Sequence, residues 1–94
     1  MTIQVSGPTH SVIYDGAHLN VYHVNNGEGL SKHEHAYSHL TMCHAGSIIV
    51  RKEGRELVMT KNTQPVNLVP NEWHEIEALE DGTVFVNVFA EGKL

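Results

Sequence analysis

Three of the eight histidines in this chain lie within the segment KHEHAYSH, which spans residues 32–39. His33 and His35 are separated by one residue, so on a β-strand both imidazoles would be on the same face and close together. His39 follows after a bend short enough to bring it alongside them, and His74 comes from a distant segment. Neutral imidazole nitrogens are good ligands for zinc, iron(II), nickel and copper. These four histidines are therefore the candidate ligands of one divalent transition metal ion.

Short β-strands are the elements that must position these histidines. Turn-forming pairs such as Asp15-Gly16, Glu53-Gly54 and Asp81-Gly82 recur roughly every ten residues, and the runs between them are rich in Val, Ile, Leu, Thr and aromatic residues. No long window has apolar residues at helical spacing. We therefore predict an all-β barrel or two-sheet fold in one domain over residues 1–94. The predicted strands are 3–6, 12–14, 17–24, 30–35, 39–43, 47–52, 56–60, 65–69, 74–78 and 83–89.

The alternation within these strands indicates which side chains point inward. His74, Ile76 and Ala78 share one face of their strand, and this apolar face places His74 in the interior. His39 shares a face with Cys43. The strand over residues 83–89 is apolar on both sides, so it is either central in a sheet or in contact with another subunit on one face.

Composition excludes several classes of function. Lys and Arg total 6 against 11 Asp and Glu, for a formal net charge of −5, and no basic stripe is present, so nucleic acid and anionic membranes are not expected partners. No run approaches the ~20 apolar residues of a membrane-spanning helix. The N-terminal residues MTIQVSGPTH lack the features of a signal peptide. The single cysteine, Cys43, fits a reducing cytoplasm.

The spacing around the histidines resembles the first motif of the cupin superfamily. That motif is Gly, five residues, His-x-His, three or four residues, Glu, six residues, Gly. The corresponding positions here are Gly27, His33, His35, His39 and Gly46, with the family's spacing throughout. The one departure is His39, which stands where the family has Glu.

The second cupin motif is degenerate in this chain. Only Pro70 and His74 remain, one residue closer together than usual, and Ala78 replaces the final Asn. The resemblance covers residues 27–89. It implies a single cupin-type β-barrel, also called a double-stranded β-helix or jelly roll. It also implies one divalent metal (Fe, Zn, Ni, Cu or Mn) held by His33, His35, His39 and His74.

Replacing Glu by His would change the charge at the metal. Four neutral imidazoles leave a divalent ion with its full +2 charge, which makes it a stronger Lewis acid. Acidic residues fall in turns or on outward faces, so Tyr22, Tyr37 and Cys43 are the remaining acid–base candidates. Tyr37, Cys43 and Trp73 are also candidate pocket residues. Tyr37 and Trp73 are equally suited to packing, whereas Cys43 is better suited to the role of a small buried apolar residue.

Two functions from different classes fit this reading. The first is a small metal-dependent enzyme, of the dioxygenase or lyase type, acting on a small polar metabolite. The second is a non-catalytic module that binds or senses a metal or a small ligand. A purely structural barrel is the third and weakest reading. An open cavity beside the histidines would favour an enzyme, whereas a closed tetrahedron of imidazoles would favour a structural site.

A chain of this length has a thin core, which a metal ion or a partner subunit would stabilise. Residues 1–16 contain apolar side chains suited to pairing with a second copy of the chain. We therefore predict a homodimer. The apolar residues concerned are Ile3, Val5, Val12, Ile13 and Tyr14.

Overall fold

The computed structural model describes residues 2–90, which form two five-stranded β-sheets without any helix. This confirms the predicted all-β fold, and no helix within the described part of the chain could span a membrane. The strands are β1 (Ile3–Gln4), β2 (His10–Tyr14), β3 (Ala17–Val24), β4 (Glu28–His33), β5 (His39–Ala45), β6 (Ile48–Lys52), β7 (Arg55–Met59), β8 (Val66–Leu68), β9 (His74–Ala78) and β10 (Thr83–Ala90).

The two sheets draw their strands from all along the chain. The first has the order β1-β4-β9-β6-β7, and the second has the order β2-β3-β10-β5-β8. Apart from the short parallel pair β1–β4, every pairing is antiparallel. The strand over residues 83–90 is paired on both sides, which confirms its predicted central place.

The core lies between the inward faces of the two sheets. Strand β9 buries His74, Ile76 and Ala78, as its alternation predicts, while β10 buries every second residue from Thr83 to Phe89. Ile48, Val50, Met59, Leu68, Ile76 and Phe85 are fully buried. The same interior holds four polar side chains with almost no exposure, which are Thr41, His74, Thr83 and Asn87. The interior therefore contains buried polar groups among apolar side chains, and these polar groups need hydrogen-bond or metal partners.

The two glycines of the histidine motif are turn residues. Gly27, before β4, has a φ of 88°, and Gly46, between β5 and β6, has a φ of 70°. Residues with a Cβ rarely adopt this conformation. At Gly46 a Cβ would also collide with Thr83. The two motif glycines therefore permit the turns that lie on either side of the histidine segment.

The strand predicted over residues 30–35 differs from the one observed. Strand β4 begins at Glu28 and ends at His33, so His35 lies in the connection to β5. The prediction that His33 and His35 share one strand face is therefore wrong.

Candidate metal centre

His33 and His74 are direct partners on the neighbouring antiparallel strands β4 and β9. Their ring centroids are 4.3 Å apart. His74 is distant from His33 in the sequence, but its strand β9 directly adjoins β4. The two histidines that face each other on paired strands are therefore His33 and His74, and not His33 and His35 as the spacing predicted.

His35 joins the pair from the connection after β4. Its ring centroid is 4.9 Å from that of His74 and 5.6 Å from that of His33. Its backbone carbonyl accepts a hydrogen bond from the Asn71 N–H at 2.8 Å, and its ring stacks on Tyr37 at 4.4 Å. One nitrogen from each of His33, His35 and His74 can be chosen so that all lie within 4.8 Å of one another. Three imidazoles are therefore close enough to hold one metal ion.

His39 lies beside this group but outside it. It is the first residue of β5, in the second sheet, and it is almost fully buried. Its ring centroid is 5.0 Å from that of His35 and 5.4 Å from that of His74. All four predicted histidines are thus neighbours, with His39 set back from the other three.

Hydrogen bonds at Nδ1 leave the Nε2 atoms of these histidines free. The Nδ1 atoms of His33, His35 and His74 bond to the carbonyl oxygens of Ser31, Tyr37 and Glu72, at 2.7, 2.7 and 3.2 Å. A carbonyl can only accept, so Nδ1 carries the hydrogen and Nε2 has the lone pair. The Nε2 atom of His74 is buried and has no hydrogen-bond partner within residues 2–90. A buried lone pair of this kind fits a bound cation, and Nδ1 bonds of this kind orient metal-binding histidines.

Burial keeps the two most enclosed histidines neutral. Removal from water lowers the pKa of His39 to about 4. The pKa of His74 is also lowered to about 4, first by burial and then by the neighbouring His33. Neutral imidazole is the form that binds metals. Both side chains are therefore in the ligating state at neutral pH.

A cavity of about 390 Å³ opens beside the histidines. No Asp, Glu, Lys or Arg is among the described residues that line it, so imidazoles, amides, phenols and apolar groups form its wall. Its aromatic and apolar part includes Phe89, which is in ring contact with Tyr37 and His39. The lining residues are Gln4, Asn20, Tyr22, Leu30, His33, His35, Tyr37, His39, Asn87 and Phe89.

The three candidate pocket residues have different positions. Tyr37 lines the cavity. Cys43 is a buried free thiol of the core cluster whose Sγ donates to the carbonyl of Ala45, and it does not line the cavity. Trp73 lies outside the cavity, with the Lys32 ammonium 4.4 Å from its ring centroid. The alternative role of packing fits Cys43 and Trp73.

Sequence reasoning missed the amides of this cavity. Asn20 and Asn87 are inward, and they are 7% and 2% exposed. Thr41 Oγ1 donates to Asn87 Oδ1 at 2.7 Å and lies 3.3 Å from His39 Nδ1. The available signal was Asn87 on an otherwise apolar inward face, between Phe85 and Phe89.

Comparison with known proteins identifies the fold. No protein-family model and no curated protein sequence matches the chain. Solved structures do match it. A cupin 2 domain-containing protein from Halorhodospira halophila has a TM-score of 0.78 at 17% identity, over 90% of this chain and 64% of that one. A cupin-2 domain containing protein from Shewanella frigidimarina has a TM-score of 0.71 at 9% identity, over 93% and 85%. A cupin protein from Bacteroides fragilis has a TM-score of 0.69 at 17% identity, over 100% and 86%. With its two facing sheets and inward histidines, the chain therefore has the cupin fold.

Proposed function

We propose that the protein is a metal-dependent enzyme, of the dioxygenase or lyase type, that acts on a small polar metabolite. The observation that carries this proposal is the open cavity of about 390 Å³ along the histidine cluster. A structural metal site is closed by its ligands, whereas a catalytic one keeps a position open to water or substrate. His33, His35 and His39 line the cavity, so a small molecule can approach their imidazoles.

The donor set fits one divalent transition metal. We assign His33, His35 and His74 as its primary ligands, and His39 as the fourth. A divalent ion on neutral imidazoles would act as a Lewis acid that polarises a bound oxygen ligand. The Nδ1 hydrogen bonds would hold the rings in place, so binding would need little rearrangement of the protein.

The cavity offers few side chains for proton transfer. Besides the histidines, its titratable groups are Tyr22 and Tyr37. Burial raises the pKa of Tyr22, so its hydroxyl stays protonated and acts as a donor. Reactions that need a carboxylate base are therefore disfavoured, and chemistry centred on the metal is favoured. Within the proposal, this places a dioxygenase ahead of a lyase.

Metal analysis followed by turnover assays tests the proposal. Protein purified without added metal should contain close to one equivalent of a divalent transition metal. The Fe(II) form should consume oxygen with a member of a panel of small hydroxy and oxo acids, while a lyase would release product without oxygen uptake. His35→Ala should lose both metal and turnover. A protein that binds metal and ligand without turnover would instead be a binding or sensing module. Absence of any stoichiometric metal would contradict the metal-dependent enzyme and leave only a module that binds a small ligand.

We further propose that the protein works as a cytoplasmic homodimer. The outward face of the second sheet supports the dimer. Its outward positions on β2, β3, β5 and β10 carry no Asp, Glu, Lys or Arg within the described strands, although the chain has a net charge of −5. Val12, Tyr14 and Leu40 on this face are 48%, 75% and 40% exposed. An uncharged apolar face is complementary to a copy of itself. The buried free thiol of Cys43 fits a reducing compartment.

A further inference from the structure

Four polar side chains form a row across the second sheet. Ser11 on β2 is paired with Asn20 on β3, Asn20 with Asn87 on β10, and Asn87 with Thr41 on β5. Asn20, Asn87 and Thr41 are at least nine-tenths buried. A row of buried polar groups is costly unless its members have partners. Each donor and acceptor in this row therefore needs a hydrogen-bond partner.

The hydroxyls at the two ends satisfy the amide oxygens. Ser11 Oγ donates to Asn20 Oδ1 at 2.7 Å, and Thr41 Oγ1 donates to Asn87 Oδ1 at 2.7 Å. In both bonds the hydroxyl donates and the amide Oδ1 accepts, so Nδ2 lies on the other side of each amide. Two neighbouring NH₂ groups are thereby held in defined orientations in the middle of the row.

Both NH₂ groups belong to residues of the cavity wall. Neither Nδ2 atom has a hydrogen-bond partner among residues 2–90, and neither is fully enclosed by protein. Both asparagines line the cavity that His33, His35 and His39 also line. The cavity therefore presents a pair of hydrogen-bond donors in addition to the imidazole cluster.

The charges of the cavity limit what could bind between these two parts. No charged side chain is among its described lining residues. The only strong positive charge would come from a metal on the histidines, so a ligand's carboxylate belongs there. A second charge at the far end would be buried without a counter-ion, which is unfavourable. A neutral oxygen would instead find two N–H donors.

We propose that Asn20 and Asn87 form a second binding subsite, which receives an uncharged acceptor oxygen of a small oxo or hydroxy acid. The acid's carboxylate end is held at the histidine cluster, so this assignment rests on the proposed metal site. The ligand class is a monoanion with a neutral carbonyl, amide or hydroxyl at its distal end. The aromatic side chains of Tyr37 and Phe89 pack against the carbon chain between the two ends.

Three acids of the same shape test the subsite on the Zn²⁺-loaded protein. The acids are 2-oxoglutaramate, 5-methyl-2-oxohexanoate and 2-oxoglutarate, which end in an amide, an isopropyl group and a carboxylate. Calorimetric titration should give 2-oxoglutaramate about tenfold tighter binding than 5-methyl-2-oxohexanoate, a difference of about 1.4 kcal/mol. 2-Oxoglutarate should bind more weakly than the amide. In NMR spectra of ¹⁵N-labelled protein, the Nδ2 hydrogens of Asn20 and Asn87 should shift further with 2-oxoglutaramate than with 5-methyl-2-oxohexanoate.

Asn87→Asp is the diagnostic variant, because it keeps the acceptor for Thr41 and removes the donor. It should lose the preference for the amide over the isopropyl acid, as should Asn87→Leu, which adds no charge. Asn67→Asp, on the exposed side of β8, is the matched control and should keep the preference. The ratio of two affinities in one protein cancels any change in metal binding.

The outcomes separate this proposal from the one it rests on. If zinc binds and the amide and isopropyl acids bind equally well, the subsite is wrong and the metal centre stands. If Asn87→Leu and Asn87→Asp both keep the preference, the amide pair is not the subsite. If no zinc binds, both proposals are overturned.

Discussion

The Nδ1 atoms of the clustered histidines are bonded to oxygens that belong to residues close to them in sequence. Ser31, Tyr37 and Glu72 each lie two positions from the histidine that they bind. The orientation of each ring is therefore set locally, before any ion is present. Little side-chain entropy remains to be lost on binding, which favours high affinity.

We expect unequal effects from substitutions of the four histidines. His35→Ala and His74→Ala should abolish or strongly weaken metal binding, since each removes one of the three clustered nitrogens. His39→Glu should keep a metal, because it restores the carboxylate of the cupin motif. It should also favour harder ions such as manganese, because the site loses one unit of positive charge. Metal titrations of the purified variants measure this.

His44→Ala is the control for these titrations, because His44 is exposed and lies outside the cluster. It should bind metal as the parent does. If His39→Glu loses metal as completely as His35→Ala, the carboxylate does not fit at position 39. If its selectivity does not change, His39 is not a ligand.

Strand boundaries could be predicted from the sequence where the alternation was clean. Strands β3 and β9 have the predicted bounds, Ala17–Val24 and His74–Ala78. The end of β4 could not be predicted, because it depends on the hydrogen bond from the Asn71 N–H to the His35 carbonyl, and Asn71 lies far from His35 in the sequence. A contact between distant residues cannot be inferred from the residues next to the strand end.

The members of the histidine cluster could be predicted from the sequence, but their arrangement could not. Spacing in the cupin motif selected the four histidines, whereas the direct pairing of His33 with His74 depends on the register between β4 and β9. The row through Asn20 and Asn87 was missed for the same reason, since its members are far apart in sequence. Register is set by the whole sheet and its turns.

A pair of glycine substitutions separates backbone strain from packing at the motif turn. Gly46→Ala and Gly54→Ala both place a Cβ at positive φ, 70° and 75°. Only at Gly46 does the new Cβ meet another residue, Thr83, because Gly54 faces open space. Urea unfolding should show a loss of about 1–2 kcal/mol for Gly54→Ala and a clearly larger loss for Gly46→Ala. Equal losses would mean that the contact with Thr83 relaxes without cost.

The stability of the metal-free protein should fall with acidification. The pKa values of His39 and His74 are lowered to about 4 by burial, whereas an unfolded histidine titrates near 6.5. Between these values the unfolded chain binds more protons than the folded one, so the free energy of unfolding rises with pH. Each histidine contributes a slope of up to about 1.4 kcal/mol per pH unit. Urea unfolding at intervals from pH 4 to pH 7.5 measures the slope.

Replacing one of these histidines by a neutral side chain isolates its share of the slope. His39→Gln should reduce the slope near pH 5, because it removes a buried imidazole whose pKa is lowered in the folded protein. A parent protein equally stable at pH 5 and pH 7 would show that the buried imidazoles do not resist protonation.

The proposed dimer is tested by placing a charge on its apolar face. Val12→Lys puts an ammonium at a position that is 48% exposed on the outward side of β2. If two copies meet there, the buried charge should shift the protein toward the monomer in analytical ultracentrifugation. Val58→Lys is the matched control, since Val58 is 60% exposed on β7 of the other sheet. A monomeric parent at micromolar concentration would contradict the dimer.

The pairing of His33 with His74 also bears on the kinetics of folding. Strands β4 and β9 are distant in the chain and adjacent in the first sheet, so the two imidazoles meet only after that sheet has assembled. Interactions that form after the transition state slow unfolding and leave the folding rate nearly unchanged. A metal bound to this pair would therefore slow the unfolding of the assembled sheet. It would lengthen the lifetime of the native state without speeding its formation.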